Sequence, residues 1–394
     1  MLTPYLPYPL YSGGQIRTYN LLKNLSHKHH ITLVSFIRDD SEKKYIEELR
    51  KFCESVYVFQ KRKPWSLKSL VLSAISIYPL VVCLYLRRSV RSQIAKLVEN
   101  KRFDLIHAET FYVLPNIPKT TTPTILVEQT IEYLVYKHYT ETVTFLPVKI
   151  LMLFDVLKIR YFEKKYWKDA KRVVAMSEAD KKIMEDLVPG INVDLVPNGV
   201  DAQFFKINRK KNTGKKKTIL FVGQFKWLQN REAVEILLQK IWPLIRKEMP
   251  QANLWIVGRS APESLKKYES DWVKVSSDIK NITDAYSNAD VMLAPIYGPG
   301  GTRYKILESM ASGLPVVTTS IGIEGLNAVD GKNALIGETP EELAHKTIQV
   351  LTNPKLSERL AYEGRAFVEK NFNWKTIASH LDRIYEGAYY GKKS

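Results

Sequence analysis

Cysteine is nearly missing from this chain: Cys53 and Cys83 are the only two. That count excludes a disulfide framework and a paired CxxC metal knuckle, and it fits a reducing compartment. No secretory leader is expected either, because the first residues lack a basic lead and a continuous apolar run. Acidic residues are scarce, with 41 Asp+Glu set against 59 Lys+Arg, a formal charge of +18. The excess gathers in the first half, where residues 51–102 hold 11 basic and two acidic groups. Such a face attracts phosphates on anionic lipid, on nucleic acid or on a diphosphate ligand. Uninterrupted apolar runs are few. Residues 69–86 carry no charge and approach the ~20 residues of a membrane span, but Pro79 interrupts them. Two amphipathic helices meeting at Tyr78-Pro79 are expected instead.

What is present describes a folded α/β protein. With 394 residues, 45% of them hydrophobic, the chain suits two domains of ordinary size. Short β-branched runs alternate with longer amphipathic stretches, as in parallel sheets with crossover helices. Strands are expected at 31–36, 103–107, 124–127, 172–175 and 193–196, and again at 218–222, 253–257, 289–294 and 316–318. The lysine-rich stretch 206–217 reads as a solvated linker between a domain of residues 1–205 and one of residues 218–373. A first strand ahead of the Ser12-Gly13-Gly14 turn has only Met1-Leu2-Thr3 to form it. Either it is very short or the chain begins a few residues upstream.

Two regions suit a lipid interface, where apolar side chains lie beside dense basic charge. One is residues 51–102. The other is residues 144–160, where Phe145, Leu146, Val148, Leu151, Leu153 and Phe154 neighbour Lys149, Lys158 and Arg160. Both mix their charge with aliphatic residues, which favours an anionic membrane surface over nucleic acid.

The most specific stretch is APIYGPGGTRYKILESMASGLPVV, residues 294–317. A strand is expected to end at Pro295, and a helix to start near Thr302 after the Gly298-Pro299-Gly300-Gly301 loop. Amides at such a loop and helix start suit a diphosphate. Arg303 and Lys305 stand in the first turn, where cations oppose the helix dipole, so they are expected to serve an anionic ligand. Glu308, one turn on, is placed to accept hydrogen bonds from a ribose diol. His107 is expected at the carboxyl end of a parallel strand, where open α/β sheets place ligands.

These motifs resemble glycosyltransferase family 4 (group 1) and its GxGTRxKxLExMA relatives. Ser12-Gly13-Gly14 with Arg17 resembles the family's first-strand turn, and Asp104-Leu105-Ile106-His107 its DxxH strand. Pro197-Asn198-Gly199-Val200-Asp201 resembles its PNGVD turn. Phe221-Val222-Gly223 and Ile256-Val257-Gly258 resemble its glycine-ended strands. The resemblance implies the α/β GT-B fold, two Rossmann-like doubly wound domains facing each other across a cleft. A last helix at 374–391 would return to the first domain after a break near Phe372–Trp374. It also implies a retaining, metal-independent transfer from a nucleotide-sugar donor to a lipid-linked or glycan acceptor, at the cytoplasmic face of a membrane. No Asp-x-Asp motif stands in a suitable place.

Carried over residue by residue, donor binding falls to Gly13, Gly14, Gly223, Gly258, Gly300, Gly301, Thr302 and Glu308. Chemistry falls to His107, Arg303 and Lys305. Glu128 ends the strand after His107's, and Tyr8 stands near the glycine loop with Arg17, so these three are expected to meet the acceptor. No cofactor or metal is implied. Two departures stand out. The first carboxylate of the family's Glu-x7-Glu pair is replaced by Gly300, and the Arg and Lys after the FVG strand by Gln224 and by Gln229 or Asn230. Arg303 and Lys305 are the replacement cations. An epimerase of the same fold, or a non-catalytic nucleotide-sugar-binding protein, is the alternative.

Overall fold

A computed structural model describes residues 1–64, 66–205, 216–277, 279, 281–298 and 304–391. The chain forms two compact units. One comprises Met1–Pro197 with Ile377 onward, and the other Asn198–Thr376.

The first unit is built on a seven-stranded parallel sheet. Its strands are β1 (Leu2–Thr3), β2 (Thr32–Ile37), β3 (Ser55–Gln60), β4 (Ile106–Glu109), β5 (Thr124–Val127), β6 (Arg172–Ala175) and β7 (Val193–Leu195), in the order β3-β2-β1-β4-β5-β6-β7. All six residues of β2 are buried, as expected when helices cover both faces of a sheet. The order reverses between β1 and β4, the position where open α/β sheets form their ligand crevice. After β1 the chain enters the Gly13–Leu25 helix, capped by Ser12, whose side chain accepts from the Gln15 amide.

The second unit holds a six-stranded parallel sheet: β8 (Thr218–Val222), β9 (Asn253–Val257), β10 (Val273–Ser276), β11 (Val291–Ala294), β12 (Val316–Thr318) and β13 (Leu335–Ile336). Their order is β10-β9-β8-β11-β12-β13, so the reversal falls between β8 and β11. Gly223 and Gly258 follow β8 and β9. A Cβ on Gly258 would lie 1.7 Å from the Gly223 carbonyl oxygen, so close backbone approach accounts for the glycine.

Three strands escape the sequence reading, and all three are sheet edges: β3, β10 and β13. Edge strands have one neighbour, and β3 has no fully buried residue although it carries Val56, Tyr57, Val58 and Phe59; β10 alternates with polar residues and β13 has two residues. β1 is only two residues long yet pairs with both β2 and β4. The expected strand 103–107 is shifted: pairing begins at Ile106 and runs on to Glu109.

Residues 69–86 form two helices, Leu67–Ile75 and Leu80–Tyr85, separated at Tyr78-Pro79. No helix among the described residues is long and apolar enough to cross a membrane. The last helix, Trp374–Tyr390, follows a break after Asn371. Ile377, Leu381, Ile384 and Ala388 recur at helical spacing and are buried, the stripe that docks such a helix. Asp382 on this helix pairs with Lys28 and His29 at 2.6 Å each.

Candidate functional site

In the second unit, the β8 and β11 strands feed helices Leu228–Ile236 and Tyr304–Ala311. Asn230 on the former meets Lys305 on the latter: the ammonium donates to the Asn230 side-chain oxygen and lies 4.7 Å from the Phe221 ring centroid. Asn230 in turn donates to the Gln224 carbonyl at 2.8 Å. A cation is thus held at the point where the strand order reverses. Glu308, three residues on, shares Lys305's face of the helix. Its carboxylate accepts from the Tyr286 hydroxyl at 2.7 Å. Burial pushes the Glu308 carboxyl up to about 7, against the pull of Tyr286 and Lys305.

Gly300, Gly301, Thr302 and Arg303 lie outside the described residues. Residues 206–215 of the lysine-rich linker do too.

In the first unit, the matching reversal between β1 and β4 gathers a buried polar cluster. Glu109, not His107, ends β4; His107 stands two residues back and so shares its face of the sheet. His107 Nε2 lies 3.4 Å from Glu109 Oε1. Its Nδ1 lies 2.6 Å from the Tyr385 hydroxyl on the last helix. Gln129 donates to the other Glu109 oxygen. His107 is 3% exposed and Glu109 fully buried. Burial holds the imidazole below its ordinary value, although Glu109 pulls the other way. Burial alone would raise the Glu109 carboxyl, but His107 and Arg17 outweigh it and hold it below the usual range. The next residue, Thr110, has φ of 69°, a conformation that costs a non-glycine residue about 1–3 kcal/mol and clusters at functional sites. Gly14 sits against the same cluster: a Cβ there would meet the Tyr5 hydroxyl at 2.0 Å and Gln129 Oε1 at 2.4 Å.

Several expected residues lie elsewhere than a surface role requires. Arg17 is wholly buried and donates to the Pro197 carbonyl at 2.8 Å, so it ties the first helix to the PNGVD turn and offers an acceptor no exposed atom. Glu128 is buried as well, accepting from the Trp167 indole at 3.0 Å, and burial pushes its carboxyl up to about 8. Tyr8 is half-buried and packs its ring against Tyr19 and Tyr45. Gly13 opens the first helix.

Four residues that matter to these clusters were not singled out from sequence. Glu109 and Gln129 follow candidate strands, and counting two along β4 from His107 points to the first of them. Tyr286 meets Glu308 across 22 residues and Tyr385 meets His107 across 278, with no local signal in either case.

The same unit carries a broad apolar surface. Leu67, Val71 and Ile75 are exposed on one helix. Leu146, Leu151, Phe154 and Leu157 are exposed on the Leu146–Asp169 helix. The two helices are tied together, since Lys158 donates to the Ser73 and Ser76 carbonyls at 2.8 and 2.9 Å. Contiguous patches of this kind mark interaction surfaces.

Comparison with known proteins places these features. Residues 11–204 match the model of Glycosyltransferase Family 4, and residues 216–353 that of Glycosyl transferases group 1. An uncharacterized 44.6 kDa protein in the cps region of Klebsiella pneumoniae is 23% identical over 390 residues, 95% of this chain and 96% of that one. A phosphatidyl-myo-inositol mannosyltransferase from Mycobacterium leprae is 28% identical over 177 residues, 43% of this chain and 46% of its own length. Sucrose-phosphate synthase from Thermosynechococcus elongatus shares the fold, with a TM-score of 0.72 at 18% identity over 99% of both chains.

Proposed function

Since the chain belongs to the family 4 (group 1) glycosyltransferases and has their GT-B fold, we propose that it moves a sugar from a nucleoside-diphosphate donor to a lipid-linked or polysaccharide acceptor at the cytoplasmic face of a membrane. The transfer retains the anomeric configuration and needs no metal ion. The observation that carries this reading is the meeting of Lys305 with Asn230 at the β8/β11 reversal, with Glu308 one turn further along.

The chemical problem is a diphosphate that gains negative charge as the glycosidic bond breaks. A fixed cation beside the leaving group stabilises that charge without reorganising at the moment of reaction. Lys305 is fixed by Asn230, and Arg303 adds a second charge. Amides of Gly300, Gly301 and Thr302 complete the phosphate contacts. Glu308 accepts hydrogen bonds from the ribose diol and so orients the nucleotide. At the other end of the reaction the sugar acquires oxocarbenium-like positive character. The His107–Glu109 pair supplies a buried negative charge toward it. Tyr8 lines the acceptor entrance.

The test is transfer of labelled sugar from UDP-, GDP- and ADP-sugars, followed by the anomeric coupling of the product. The expected product has the donor's configuration. An inverted product refutes the retaining assignment, and no transfer from any donor to lipid-linked or glycan acceptors refutes the activity.

The apolar helices and the basic residues beside them supply the membrane surface. Burying one large apolar side chain contributes about 1.5–3 kcal/mol. Changing Ile75, Leu151 and Phe154 together to Glu is therefore expected to lower binding to phosphatidylglycerol vesicles at least about 100-fold. Flotation measures this, and binding that survives the triple change rules this face out.

A further inference from the structure

The polar chain that begins at Glu109 ends on the last helix. Its links are Gln129 to Glu109, Glu109 to His107 at 3.4 Å, and His107 to Tyr385 at 2.6 Å. All of these residues belong to the first unit, although 278 residues separate His107 from Tyr385.

A neutral imidazole carries one proton, and its two nitrogens play opposite roles. A carboxylate faces Nε2, so a proton on Nε2 gains an electrostatic contact that a bare Nε2 lone pair would lack. Nδ1 must then accept. The Tyr385 hydroxyl lies 2.6 Å from Nδ1; burial, with Glu109 adding to it, keeps its proton on, and the hydroxyl can turn to donate there. The rings of His29 and His107 pack edge-on against Tyr385, with centroids 5.6 and 5.8 Å away. Contacts of Lys28 and His29 with Asp382, 2.6 Å each, hold the helix one turn earlier.

We propose that Tyr385 is a positioning residue: its hydroxyl donates to Nδ1 and, together with the carboxylate facing Nε2, keeps the His107 proton on Nε2, which holds the Glu109 carboxylate in place, so that transfer depends on the last helix being docked. The activity part of this proposal rests on the role given above to the His107–Glu109 pair. The tautomer part does not.

The experiment compares the wild-type protein with Tyr385→Phe, which keeps the ring contacts and removes only the hydroxyl. Long-range nitrogen–proton NMR reads the tautomer, with the His107 signals assigned through a His107→Asn spectrum. The wild type is expected to show a pyridine-type Nδ1 and a pyrrole-type Nε2, and the variant a mixture of tautomers. The variant's kcat is expected to fall about tenfold, the size of one lost hydrogen bond, while KM for the nucleotide sugar stays within about twofold. An unchanged imidazole spectrum in the variant, or a wild-type proton on Nδ1, overturns the proposal. Glu109→Gln separates the two parts. If its kcat equals the wild type's, the role given to Glu109 falls, and the imidazole spectrum alone decides for or against Tyr385.

Discussion

Replacing Arg303 by Gln and Lys305 by Met together is expected to lower kcat/KM on the order of a thousandfold, with the folded state intact. Removing one preorganised donor from a site of developing charge typically costs about 100- to 1,000-fold, and two cations are proposed here for one diphosphate. Lys305 is not a surface lysine turned to solvent by default. Its ammonium is hydrogen-bonded to Asn230 and lies over the Phe221 ring, so its position is set before a ligand arrives. Methionine keeps the apolar stem against Phe221, which limits damage to packing. Steady-state kinetics with thermal unfolding as a control measure the effect. Turnover equal to the wild type's would remove both residues from the diphosphate site.

The second large effect is expected at Glu308. Glu308→Gln should weaken nucleotide binding about 10- to 100-fold, because hydrogen bonds to a charged acceptor are worth about 1.5–3 kcal/mol. Tyr286 keeps a partner, since the Gln side-chain oxygen accepts its proton in the same place. The pH dependence adds an independent check. Burial lifts the Glu308 carboxyl to about 7, so the group takes up a proton as the pH falls through that value and loses acceptor capacity. Nucleotide affinity in the wild type is therefore expected to decline below about pH 7. In Glu308→Gln that limb disappears. Calorimetric titrations across the pH range read both effects. A variant that binds as tightly as the wild type would take Glu308 out of the ribose site.

The sequence was informative where chemistry is local. The Tyr304–Ala311 helix carries Lys305 and Glu308 at a spacing of three, so both fall on one face whatever surrounds them. The two glycine-ended strands β8 and β9 were visible as apolar runs, and the close approach to the Gly223 carbonyl gives a reason for the glycine at 258. Less was legible where long-range packing decides. Arg17 and Glu128 are polar residues beside glycine turns and strand ends, which is how surface ligands read in a sequence. They are instead internal braces to Pro197 and Trp167. His107 marked the right strand but the wrong end of it, because pairing starts at Ile106 rather than Phe103. Tyr385 could be found only in three dimensions, since a helix stripe fixes which residues face inward but not which strand they meet. The edge strands β3, β10 and β13 were missed for a related reason: their burial comes from one side alone.

The proposed nucleoside-diphosphate site lies where the second sheet reverses its strand order. Calorimetry of the purified protein with UDP, GDP and ADP, each alone and without metal, tests it most directly. Selective one-to-one binding of one nucleotide, lost in the Arg303→Gln, Lys305→Met variant, is the predicted result. A folded protein that binds none of the three would contradict the claim and favour a sugar-nucleotide site that no longer works.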